Sequence, residues 1–125
     1  MSNEKYTEDH EWLRPEEDGT VTVGITDYAQ EQLGDIVFIE LPETGASFEA
    51  DSEMAIVESV KAAGDVKIPL AGEVLEVNER LVDEPELVNS DPIGEGWFIK
   101  ISINSIDDLN SLMDESQYQE FISDL

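Results

Sequence analysis

The chain contains no cysteine, which removes disulfides, thiolate metal sites and thiol nucleophiles from consideration. Histidine occurs once, as His10, so a multi-histidine metal centre and a thiol–imidazole pair are out of reach. Positive charge is nearly as scarce. Four lysines and two arginines stand against 31 acids, a formal net charge of −25 at pH 7. Nucleic acid and anionic membranes would both repel such a surface. No apolar run approaches the ~18 residues needed to cross a bilayer. The opening Met1-Ser2-Asn3-Glu4-Lys5 has neither the apolar core of a signal peptide nor the Arg-rich, acid-poor look of a transit peptide. These features predict a cytoplasmic protein.

What is present is enough for a globular core. Apolar residues make up 40% of 125 positions, which predicts one domain spanning 1–125 rather than disorder or two domains. The acids are spread from Glu4 to Asp124. That spread fits adaptation to high salt better than a phosphate-mimicking stripe, because screening makes dispersed self-repulsion tolerable. The sequence is therefore read as acidic and halophilic.

Thr20–Ile25 alternates with the two-residue period of a half-buried strand after an Asp18-Gly19 turn. A short helix follows, with Asp27 as its cap, Gln30 three residues on and Gly34 as its C-terminal stop. Asp35–Leu41 is a β-branched strand ended by Pro42, and Ser47–Glu49 is a short extended piece. Glu53–Glu58 and Asp65–Ile68 form a hairpin, and Glu73–Val77 a further strand. Irregular chain from Asp83 to Gly96 carries one helical turn starting at Pro85. Trp97–Ile103 is the last strand. Residues 104–125 form a helical extension of two short helices, capped by Ser105 with Asp108 and by Asp114 with Gln117; Tyr118, Phe121 and Ile122 share a face of the second. Many short strands with Gly/Pro turns predict a mainly β sandwich or barrel-like domain. An echo between Gly19–Val23 and Gly72–Val77 suggests two similar sheet halves.

Catalytic signals are weak. Any two of 31 acids can be made to look like a catalytic pair, and His10 reads as a locally hydrogen-bonded residue beside a packed Trp12 rather than a general base. No metal site is expected. Lys61 stands out instead. It lies between the two strands of the predicted hairpin, in a chain that has replaced most surface lysine by Asp or Glu, and a turn presents a lysine to solvent as covalent modification requires.

The segment Glu58-Ser59-Val60-Lys61-Ala62-Ala63, with Asp65, Pro69 and Gly72-Glu73-Val74-Leu75-Glu76-Val77-Asn78, resembles the lipoyl-lysine region of the glycine cleavage system H proteins. Tyr6–Leu13, Val23–Gln30, Gln32–Pro42, Pro85–Pro92 and Gly94–Ile101 extend the resemblance over almost the whole chain. It implies a mainly β, lipoyl/biotinyl-type barrel-sandwich hybrid with short peripheral and C-terminal helices. It implies a non-catalytic carrier with lipoic acid in amide linkage to Lys61. Such a carrier takes the aminomethyl group of glycine from glycine dehydrogenase (the P protein) to aminomethyltransferase (the T protein). It passes reducing equivalents to dihydrolipoyl dehydrogenase (the L protein). A lipoylating enzyme is a fourth partner, and the carrier is expected to be a monomer. By the same resemblance Glu11 and Asp65 dock the loaded arm, while Glu58 and Gly72 shape the hairpin for the lipoylating enzyme.

Two departures accompany the resemblance. Lys67 places a second lysine near the first, and Gln32 stands where some members carry His, so no imidazole over the arm is expected from that position. A biotin carrier is disfavoured because Val60 and Ala62, rather than methionines, flank Lys61. A relay passing lipoyl groups to other enzymes would use the same lysine, and an acidic decoy for a nucleic-acid-binding protein would need no modified lysine.

Overall fold

The structure is a computed structural model describing residues 4–68, 70–103 and 106–124, without the side chains of 106–108. Nine strands among the described residues form two sheets: β1 (Lys5–Tyr6), β2 (Glu11–Pro15), β3 (Val21–Ile25), β4 (Ile36–Glu40), β5 (Ser47–Phe48), β6 (Ser52–Ser59), β7 (Ala63–Ile68), β8 (Gly72–Val77) and β9 (Ile99–Ile103). One sheet has the order β1-β2-β3-β9-β8-β5 and the other β4-β6-β7, with every pairing antiparallel. Four short helices lie at the edges: α1 (Asp27–Leu33), α2 (Arg80–Asp83), α3 (Leu87–Ser90) and α4 (Glu115–Ser123), and Ile106–Ser111 forms a 3-10 turn. This is the mainly β architecture expected, with both sheets left open.

The main core lies between the sheets. Leu13, Val23, Ile99 and Ile101 from the larger sheet meet Ile39, Val57 and Ile68 from the smaller one. A second cluster forms on the far side of the larger sheet, where Tyr6, Trp12 and Tyr118 pack with Trp97, Met113 and Phe121. This cluster explains two departures from the pattern. β3 is buried at all five positions instead of on one face, because the Trp12 ring lies against Gly24 and the Glu16 side chain takes the Thr22 hydroxyl on its outer side. β2 escapes sequence reading because Trp12 fills one cluster and Leu13 the other, so no two-residue alternation survives.

Several local expectations change. Thr26, not Asp27, caps α1, its hydroxyl accepting from Ala29 N–H; Asp27 instead accepts from the Gln30 side chain. Gly34 ends α1 as expected, with φ +80° but an extended ψ of −156°, a combination glycine adopts without a Cβ clash. The last strand begins at Ile99, because the Asn78 side chain takes the carbonyls of Trp97 and Glu95. Two one-turn helices, α2 and α3, replace the single turn expected near Pro85. The echoing segments do not form two halves: β3 and β8 flank β9 in one sheet. The capping box of Asp114 and Gln117 is complete, whereas Pro69 and the Ser105–Asp108 cap lie outside the described residues and side chains.

Candidate functional site

The β6–β7 hairpin pairs Glu58 with Ala63 and crosses over through residues 59–62. Ser59 organises the turn. Its backbone N–H donates to the Ala62 carbonyl at 2.8 Å, and its hydroxyl accepts from the N–H groups of Lys61 and Ala62. Lys61 is exposed at the tip, as expected. Three of the five other cationic side chains have clear partners. Arg14 contacts Glu16 at 3.0 Å, Arg80 contacts Glu95 at 2.8 Å, and Lys100 lies over the Trp97 ring. Among the described residues no acid pairs with the Lys61 ammonium.

The root of Lys61 is fixed from below. Val60 N–H donates to the Asp35 carbonyl at 3.0 Å, and the Lys61 stem crosses Gly34, where an added Cβ would sit 3.2 Å from its Cε. Asn89 holds this platform with three hydrogen bonds. It accepts from Ile36 N–H at 2.8 Å and donates to the Gly34 carbonyl and the Gln30 side chain. Asn89 was not legible as a site residue, since an Asn in an irregular stretch usually signals a turn.

Beside the hairpin lies a cleft of about 240 Å³ running between α1 and β7. Ile25, Ala29, Leu33 and Val57 supply its apolar wall, and Asp9, Glu11 and Asp65 bring three carboxylates to it. The structure thus brings together the predicted Glu11 and Asp65. Gln32 lines the same cleft. Glu58 lies next to the turn, in the last pair before Lys61, exposed and paired with Phe38 and Ala63. Gly72 is not part of this hairpin. It sits in β8 of the other sheet, where a Cβ would run into the Ser102 carbonyl, so its lack of a side chain lets β8 and β9 approach.

Glu11 is only 4% exposed. Thr7 hydroxyl donates to its Oε1 at 2.8 Å. Burial nonetheless dominates and, with the nearby Asp9 charge, pushes its carboxyl up to about 7 against the favourable Thr7 and Lys67 contacts. The Lys67 backbone N–H faces this carboxyl, so Glu11 links β2 to β7 of the other sheet. Lys67 itself lies six residues along the strand from Lys61, on the order of 20 Å away.

His10 occupies a positive-φ turn position, φ +69°, between β1 and β2. Its Nδ1 meets Tyr118 OH at 2.9 Å, and that hydroxyl also meets Thr26 Oγ1 at 2.7 Å. His10 is hydrogen-bonded as expected, but to a residue 108 positions away rather than locally. Burial lowers its pKa, partly offset by Asp9, so it enters the cleft neutral near pH 7. Burial also raises Tyr118 above the usual phenol range.

With this geometry in place, comparison with known proteins is decisive. The family described as Glycine cleavage H-protein matches residues 4–125. The chain belongs to the glycine cleavage H-protein family. A relative from Chromobacterium violaceum, named glycine cleavage system H protein, is 62% identical over 118 residues, 94% of this chain and 92% of that protein. One of the same name from Halorhodospira halophila is 52% identical over 120 residues, covering 96% and 92%. A solved glycine cleavage system H protein from Mycobacterium marinum superposes with a TM-score of 0.88 at 36% identity, covering 98% of each chain. This H-protein family member is a lipoyl carrier of the glycine cleavage system, not a catalyst. No helix among the described residues is long and apolar enough to cross a membrane.

Proposed function

We propose that Lys61 is the residue that bears the lipoyl group, and that the cleft beside it shelters the loaded arm during transit between the P, T and L proteins. The reading rests on one observation above the others: an exposed hairpin lysine, on a hydrogen-bonded platform, stands next to an apolar cleft ending in carboxylates. The residues fit the group. The Lys61 stem lies against Gly34, next in sequence to Leu33 of the cleft wall, and the apolar wall matches an alkyl chain. When bound, the lipoyl group supplies a dithiolane that carries a glycine-derived aminomethyl unit and two electrons.

The chain's own residues supply position and protection. Ser59, Asp35 and Asn89 hold the lysine's root, which concentrates its tethered end at whichever enzyme docks. Leu33, Ile25 and Val57 exclude water from the cleft. Ionised Asp65 and Glu11 hold an ammonium by charge-assisted hydrogen bonds. Glu58, beside the turn, marks the hairpin tip for the lipoylating enzyme. Lys67 is read as unmodified, because it lies in the strand, well removed from the tip. The carrier acts as a monomer in the cytoplasm.

Intact mass and peptide mapping after co-expression with a lipoylating enzyme test the assignment. A single lipoyl group on Lys61, absent in Lys61→Arg, supports it. Modification elsewhere, or none with the enzyme active, defeats it.

A further inference from the structure

β4 departs from regular pairing where it is nearest to the Lys61 loop. Ile36 pairs with Ser59 and Phe38 with Glu58, leaving Val37 as a bulge. A bulge re-aims successive side chains, and here both Val37 and Phe38 are exposed, at 55% and 46%. Val82 of α2, which packs against β4, is 57% exposed. Between Phe38 and Val82 lies a groove of about 320 Å³ floored by Leu41, Pro42 and Val77. Glu40 and Glu79 border it, and Asp83 and Glu58 are exposed nearby. Val60, next to the lysine, is also 67% exposed.

Adjacent exposed apolar side chains need a reason in a protein otherwise covered by acids, since large apolar patches favour association. We infer that the Phe38–Val82 groove, with the exposed Val37 at its side, is the docking surface for the enzyme that loads the arm, which presents an apolar projection ringed by Lys and Arg. The inference rests on the carrier reading above. Charge sets the partner's chemistry: with −25 on the chain and carboxylates around the groove, a basic rim is attracted and an acidic one repelled. Position selects the loading step. The groove opens on the β4 side of Lys61, whereas the acidic cleft opens on the β7 side. An unloaded arm carries no ammonium for Glu11 and Asp65 to hold, so the loading enzyme has no need of the cleft and grips the root from the other side. An unloading enzyme must draw the arm from the cleft and so contacts the β7 side.

The test compares the lipoylated full chain with its Phe38→Ser and Val37→Thr/Val82→Thr variants, using the P protein as probe. Direct titration of the P protein is run on these chains and again in a Lys61→Arg background, which reads docking without any lipoyl group. The expected result is a loss of P-protein affinity of roughly tenfold or more, with a matching rise in the carrier KM for loading. Unloading by the T protein is expected to change less than about twofold. Raised salt weakens wild-type binding, and Phe38→Lys weakens it more than Phe38→Ser. Unchanged P-protein affinity in folded variants overturns the inference, as does an equal loss toward the T protein. A wild-type dimer that Phe38→Ser dissociates also overturns it and makes a second copy the occupant. Wild-type chain that is never lipoylated or loaded refutes the carrier reading instead, and the Lys61→Arg titrations still report on the groove.

Discussion

Glu11→Gln gives the most informative perturbation. Glu11 is 4% exposed and its carboxyl is pushed up to about 7, chiefly by burial. In the unfolded chain it titrates near the model value of 4.5. A carboxyl whose folded pKa is raised contributes stability that is fully present below the unfolded pKa and is lost as pH rises through the folded one. A shift of this size corresponds to on the order of 3 kcal/mol above neutrality, or roughly 10 °C in Tm for a chain of this length. Gln keeps the shape and an acceptor for the Thr7 hydroxyl but cannot ionise. The difference in Tm between variant and wild type, measured by circular dichroism at fixed ionic strength, is therefore expected to be small below about pH 4.5. It should climb in favour of Gln to a plateau above about pH 7. Subtracting the two profiles removes the shared self-repulsion of the other acids. The same variant should lose the ability to hold an ammonium in the cleft, so a gain in stability accompanies a loss of protection for the loaded arm. A flat difference profile, or one that favours wild type as pH rises, would falsify the argument that an ionised Glu11 is strained in the unloaded protein.

Further outcomes follow from the packing. Gly24→Ala places a Cβ 2.8 Å from the Trp12 ring and is expected to destabilise by about 1–3 kcal/mol in urea unfolding; a neutral result would mean the indole can shift despite its 3.0 Å bond to the Pro92 carbonyl. Tyr118→Phe removes the hydroxyl shared by His10 and Thr26. It should lower stability by about 1–2 kcal/mol and loosen α4, read as faster amide exchange there. Asn89→Ala removes three hydrogen bonds from the Gly34–Ile36 platform. It is expected to destabilise by about 2 kcal/mol or more and to slow lipoylation, and an unchanged lipoylation rate would show that the platform does not position Lys61. The −25 charge predicts a Tm that climbs from low to molar salt as screening relieves repulsion, and a flat response would remove the halophilic reading.

The hairpin carrying Lys61 was legible because its determinants are local. Two β-rich runs flank a polar tip, and scarcity of lysine makes that one conspicuous. The same holds for the Asp114–Gln117 capping box, which needs only residues three apart, and for Gly34, whose positive φ follows from glycine at a helix end. By contrast β2 was hidden, because Trp12 and Leu13 serve two different apolar clusters and erase the periodicity by which a strand is read. Asp27 was a plausible cap on residue type, but β3 delivers Thr26 to that position instead.

Sequence alone determined the secondary-structure grammar, the acidic surface and the lysine offered at a turn, since each depends on residue type and near neighbours. It also carried the family resemblance in Glu58–Ala63 and the long matches around it. Only the tertiary structure decided that Glu11, at the start of β2, shares a cleft with Asp65 from another sheet. Only the fold bridges His10 to Tyr118 across 108 residues, makes Asn89 a support for Gly34, and moves Gly72 away from the hairpin. The physical reason is common to all of these. Burial, desolvation and hydrogen bonding between distant segments depend on which surfaces the two sheets press together, and that is set by the cooperative packing of the whole core.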